Sequence, residues 1–91
     1  MQFMASITFD PARHAEVEQR VPAEQVRVRE LQRQGVLNSL YIPVGGGAPS
    51  NLWAIFSGDS PADIQRALES LPLYPYMQVE LTPLRQLEAR A

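Results

Sequence analysis

An α+β fold of the order βαββαβ is predicted by three observations. The two ends of the chain, Gln2 to Phe9 and Met77 to Thr82, alternate apolar and polar residues with the period of a strand. Two cap-then-proline pairs, Asp10-Pro11 and Ser60-Pro61, each open a stretch of helical character. Between the halves lie two further strand-like runs, joined by the glycine-rich "GGGAPS". The chain has 91 residues, the length of one domain, and 1–91 is read as a single unit.

Each element has its own signal. In the first strand Phe3, Ala5, Ile7 and Phe9 share one side, with Gln2, Met4, Ser6 and Thr8 on the other. Asp10 is a helix N-cap and Pro11 suits the first helical position. The polar, helix-forming run that follows ends at Gly35. Pro22 interrupts it, and either kinks one helix or restarts a second, since an interior proline costs about 3 kcal/mol. Val36 to Val44 is the second strand, and "GGGAPS" is a hairpin loop or lid. Asn51 to Phe56 is the third strand, apolar on both faces: Leu52, Ala54 and Phe56 on one, Trp53 and Ile55 on the other. Ser60-Pro61 opens a helix with Ile64, Ala67, Leu68 and Leu71 on one face. Then comes "LPLYPYM", whose prolines stop the helix and fix the entry into the fourth strand. There Met77, Val79 and Leu81 alternate with Gln78, Glu80 and Thr82. The residues from Leu84 onward read as a tail that reaches a neighbouring subunit.

This order is the ferredoxin-like split βαβ arrangement, an antiparallel sheet with two helices on one face. The other face of the sheet is then open, and the doubly apolar third strand would leave a bare patch there. Self-association through that face, as in a dimeric α+β barrel, is the expected remedy. A chain this short buries roughly 60–65% of its unfolded surface, which favours the same remedy.

Composition excludes several classes. A formal charge of −2 gives no basic footprint for nucleic acid and no polybasic lipid anchor. Cysteine is absent and there is one histidine, so neither thiolate nor His-rich metal sites are expected. No run approaches the ~20 apolar residues of a membrane helix, and the start "MQFMASITF" lacks a signal peptide's pattern. A cytoplasmic domain is expected.

Glu24 is the most informative polar residue. It falls within the helical stripe of Val17, Val21, Val28 and Leu31. A carboxylate aimed at an apolar core has a raised pKa, which suits a general acid or base near neutral pH. The other reading is local: after a restart at Pro22, Glu24 is the third helical residue and its charge suits a helix N-terminus. His14 opens the first helix and reads as surface rather than as a proton shuttle. Arg20, Arg27, Arg29 and Arg33 read as a solvated face with the interspersed glutamates. Gly45 to Gly47 fits neither the dinucleotide nor the P-loop pattern. Tyr41, Trp53, Tyr74 and Tyr76 belong to an aromatic ligand pocket or to core and interface.

At "LPLYPYMQVELTPL" the chain resembles the muconolactone isomerase family, in which a helix ends in Leu-Pro-Leu-aromatic-Pro-Tyr-Met before a strand. Upstream, "AEQVRVRELQRQG" is similar to the family's glutamate-bearing helix, which ends Leu-Gln-Arg-Glu-Gly. The resemblance runs from Met1 to about Leu84. It implies a ferredoxin-like fold that dimerises and assembles further, to a decamer in the best-known member. It also implies a cofactor-free enzyme that moves a double bond in a small unsaturated lactone by proton abstraction and return. Glu24 matches the family's helix glutamate and is the catalytic candidate. Tyr41 stands where the family has tryptophan and Ile42 where it has arginine. Met4 and Ser6 replace a histidine and a lysine, Asn38 and Ser39 a basic pair, and the His-Pro after Leu84 is missing. Those basic groups would suit a lactone carboxylate and a developing enolate. Their loss implies a less charged pocket for a neutral, more apolar or aromatic molecule, bordered by Tyr41, Ser6, Asn38, Trp53 and Tyr76.

The leading expectation is therefore a cofactor-independent isomerase or cyclase on an unsaturated lactone, cyclic ketone or polyketide-like compound. A cofactor-free monooxygenase follows from fold analogy alone. A non-catalytic binding or assembly subunit follows from the missing basic residues.

Overall fold

The computed structural model describes residues 1–45 and 50–88. The chain follows the predicted order: β1 (Gln2–Phe9), α1 (His14–Arg33), β2 (Leu37–Tyr41), β3 (Asn51–Ser57), α2 (Pro61–Glu69) and β4 (Met77–Leu84). Short 3₁₀ turns at Pro11–Arg13 and Tyr74–Tyr76 precede α1 and β4. The sheet order is β2-β3-β1-β4 and every neighbouring pair is antiparallel. β1 and β3 are thus the central strands, one from each half of the chain.

The register sorts the side chains. Ala5 opposes Ala54 and Leu81, and Ile7 opposes Leu52 and Val79, so these residues share the inner face. Phe3, Ala5, Ile7, Ala54 and Phe56 pack there against Leu31 of α1 and Ile64 and Leu68 of α2. Each fully buried Ile, Leu or Phe contributes about 1.5–3 kcal/mol. Trp53, Ile55, Met4 and Ser6 alternate onto the outer face, which neither helix covers. The double-sided apolar character of β3 is therefore real.

Local chemistry sets the ends of the elements. The Asp10 carboxylate accepts from the Ala12 amide at 2.9 Å, and the Ser60 hydroxyl accepts from the Asp63 amide at 3.4 Å. At the end of α1 Gly35 takes φ +75, its N–H donates to the Gln32 carbonyl at 3.1 Å, and the Val36 N–H donates to the Leu31 carbonyl at 3.0 Å. This pair of bonds is a Schellman stop, and the positive φ explains the glycine.

Two details depart from the sequence reading, at Pro11 and at β2, and the alternative left open at Pro22 is decided. Pro11 opens a 3₁₀ turn, and α1 proper begins at His14. Pro22 lies inside α1 without a restart, so Glu24 is an interior helical residue and not the start of a second helix. β2 covers Leu37–Tyr41 and not Val36 to Val44, because Val36 completes the helix stop and Pro43 has no N–H for the ladder. Of the "GGGAPS" stretch, residues 46–49 lie outside the described residues. Beyond Leu84, residues 85–88 are exposed and without regular structure.

Candidate active site

Helix α1 is seated on the sheet at one end only. Of its residues Leu31 alone is fully buried, close to the C-terminus, while Val17, Val21 and Val28 are half-covered. Two apolar cavities lie along the rest of the helix, the first against residues 24–29 and the second against residues 14–24. One, of about 400 Å³, is floored by Leu52, Ala54 and Phe56 and walled by Val28 and Leu40. The other, of about 450 Å³, is lined by Phe9, Val17 and Val21. Volumes of this size are those of small-molecule pockets.

Glu24 borders both cavities, together with Leu52 and Leu73. Its Oε1 accepts a hydrogen bond from the Leu73 backbone N–H at 3.1 Å. Leu73 belongs to "LPLYPYM", so that segment positions the carboxylate as well as ending α2. Pro72 has no amide hydrogen to give, and the next N–H along the chain is the one aimed at Glu24. Oε2 has no hydrogen-bond partner among the described residues. Burial pushes the Glu24 carboxyl above its ordinary pKa, and the Leu73 N–H, which favours the charged form, offsets part of that rise. The arrangement is a half-desolvated carboxylate, held by one oxygen and open at the other, between two apolar walls. Such a group can take a proton from carbon and give it back.

The other residues singled out from the sequence lie elsewhere. Ser6 and Trp53 oppose one another on the outer face, and Tyr41 stands beside Trp53 on β2. Asn38 sits at the register shift of β2, where its carbonyl oxygen accepts from the Ser57 hydroxyl at 2.6 Å. Its amide nitrogen donates to the Gly35 carbonyl at 3.2 Å. The sheet therefore stands between these four residues and Glu24 within one chain. Tyr76 is buried under the Arg13 guanidinium, 4.3 Å from the ring centroid, with Arg20 at 5.4 Å. This cation–π clasp joins the start of α1 to the turn before β4. Tyr74 accepts from the Gln65 side chain at 2.7 Å.

Two residues read as surface from the sequence do reach the cavities. His14 lines the second cavity while its Nε2 lies 2.9 Å from Glu18. Arg29 lines the first cavity beside Glu24. Arg29 lies off the apolar stripe but directly follows Val28, and a long side chain can lie along an apolar surface.

The family model described as muconolactone delta-isomerase matches residues 1–89. The chain belongs to that family. A muconolactone delta-isomerase of Cupriavidus pinatubonensis is 36% identical over 61 residues, 67% of this chain and 63% of that protein. The matched segment thus spans a little under two thirds of that relative's length. A crystal structure of muconolactone isomerase superposes with a TM-score of 0.71 at 25% identity, covering 99% of this chain and 94% of that one. A 5-chloro-2-hydroxyhydroquinone dehydrochlorinase of Burkholderia phenoliruptrix AC1100, solved with 2,5-dihydroxybenzoquinone, superposes with a TM-score of 0.77 at 12% identity over 93% of this chain and 94% of that one. That second likeness is one of fold. This muconolactone isomerase family member thus has the α+β fold that the "LPLYPYM" resemblance implied.

Proposed function

We propose that this muconolactone isomerase family member is a cofactor-independent enzyme that shifts a double bond, or closes a ring, in a small unsaturated lactone or cyclic ketone. The observation that carries the reading is Glu24, held through Oε1 by the Leu73 N–H at the junction of two apolar cavities. A carbonyl in the substrate acidifies a neighbouring C–H. Glu24 takes that proton on Oε2 as the electron pair moves into an enolate or dienolate. The protonated carboxyl then returns it at a different carbon, so that no net proton or electron is exchanged. The apolar walls raise the basicity of the carboxylate and keep water from competing for the carbanion. The relatives named as muconolactone delta-isomerases support the reaction class.

The test is turnover of a panel of unsaturated lactones and quinone-like compounds by the parent and by Glu24→Gln, with solvent-deuterium incorporation followed by NMR. General-base catalysis is worth about 10²–10⁴-fold, and a loss in that range is expected. Turnover that survives the change intact would remove Glu24 from the chemistry.

The assembly reading rests on a different observation. The outer sheet face carries Trp53, Ile55 and Met4 with no helix over them, and Tyr41 at its edge is 57% exposed. A second copy of the chain seated there would bury this patch. Ser6, Trp53 and Tyr41 then act in subunit contact, and Asn38 and Tyr76 in support of the fold. Of the candidates named from the sequence, only Glu24 meets substrate directly.

A further inference from the structure

Arg29 is the one arginine on the walls of the two Glu24 cavities among the described residues. Its Nε donates to the Gln25 carbonyl at 3.3 Å, which lays the guanidinium back along α1, and the residue is exposed at the rim of the first cavity. Its two terminal amino groups have no partner among the described residues, and Arg29 takes part in none of the ion pairs there. Arg13 pairs with Glu16, Arg27 with Glu30, Arg66 with Asp63, and Arg20 lies over Tyr76. Arg33 and Arg85 take part in no ion pair among the described residues either, but neither lines a Glu24 cavity. The remaining walls of the first cavity are Ile, Leu, Val, Ala, Phe and Met apart from Glu24 and Gln25. An apolar cleft with one unengaged guanidinium at its rim has a definite complement: a flat, largely apolar molecule that ends in an anionic oxygen. A planar fork of donors meets a carboxylate with two parallel bonds, and meets a single enolate oxygen with a charge-assisted bond.

From this geometry we infer that Arg29 is a specificity-determining residue, and that it anchors a carboxylate or enolate oxygen of a monoanionic cyclic substrate in the first cavity. The inference rests on the proposed reaction at Glu24 and names the charge of its substrate. It also reverses the expectation of a neutral ligand drawn from the missing basic residues. Here a cation comes from helix α1, five residues after the catalytic candidate. A cavity of about 400 Å³ accommodates one or two rings with this oxygen at the mouth.

The test is a binding measurement that needs no turnover. Isothermal titration compares 2-naphthoate with its neutral isostere 2-naphthamide on the parent, Arg29→Gln, Arg29→Lys and Glu24→Gln proteins, with circular dichroism to confirm each fold. The parent should prefer the naphthoate at least 10-fold, and salt should shrink the preference. Arg29→Gln should reduce it to within 2-fold, and Arg29→Lys should restore part of it as a point charge. Glu24→Gln should keep or enlarge it, because a competing negative charge is gone. No naphthoate binding, no preference in the parent, or a preference that survives Arg29→Gln would overturn the assignment. Loss of turnover in Glu24→Gln with any of those results leaves the reaction standing and removes only Arg29.

Discussion

At the scale of single residues, Glu24 shows how a backbone donor can manage a half-buried carboxylate. Burial raises its pKa, so the folded state holds the proton to higher pH than the unfolded chain does. The sign of the consequence follows. Below the unfolded carboxyl pKa of about 4.3 both states bind the proton and the group has no destabilising effect. As pH rises through the folded value the native state must hold a half-buried charge, and stability falls. Glu24→Gln removes that loss while its amide oxygen still accepts from Leu73. We therefore predict that urea midpoints of Glu24→Gln exceed the parent's at pH 8 and that the gap narrows toward pH 4. A gap independent of pH would argue against the raised pKa. Glu24 was legible because it interrupts a valine stripe. Its partner was not, since a main-chain N–H at Leu73, 49 residues away, leaves no mark in the side-chain pattern. Arg29 was hidden for a related reason: a helical wheel gives the direction of Cβ, whereas a long side chain chooses where its charge ends.

At the scale of elements, the seating of α1 decides where the cavities lie. The helix is fixed at its C-terminal end by Leu31 in the core and by the Gly35 stop. Gly35 has φ +75 with open space where a Cβ would go, so the cost of a side chain there is conformational and not steric crowding. We predict that Gly35→Ala costs about 1–2 kcal/mol in thermal or urea unfolding, from the left-handed conformation alone. A cost near zero would mean that the turn relaxes. Element types and order were readable because period-two and helical patterns differ sharply across this chain. Boundaries were less so. At β2 the Schellman stop takes Val36 and Pro43 withholds a donor, and neither constraint shows in an apolar count. At Pro22 the sequence left a kink or a restart open, and α1 runs through the proline as one helix.

At the scale of the whole molecule, the sheet separates a side that holds the Glu24 cavities from an open side that no helix covers. Glu24 and both cavities lie between the sheet and helix α1, with Arg29 exposed at the rim of the first, and Trp53, Ile55 and Ser6 lie behind. That division was half visible in the sequence: β3 announced two apolar faces, but the alignment of the candidate residues to one face or the other depended on register. A one-residue shift in pairing would have exchanged them. We predict that Trp53→Arg lowers the sedimentation coefficient to that of a smaller species while the far-UV spectrum is kept. An unchanged coefficient would show that Trp53 is not in the contact between copies.

The bond from Leu73 to Glu24 ties the proline-rich segment to helix α1 across most of the chain. Its donor is an amide whose electron distribution depends on whether the acceptor is a carboxylate or a carboxylic acid. The Leu73 amide resonance is therefore an internal meter of the proton held by Glu24, readable without substrate and without altering the carboxylate itself. A segment that looks at first like a stiff connector thus carries, in one nitrogen, a spectroscopic record of the charge state on which the proposed chemistry turns.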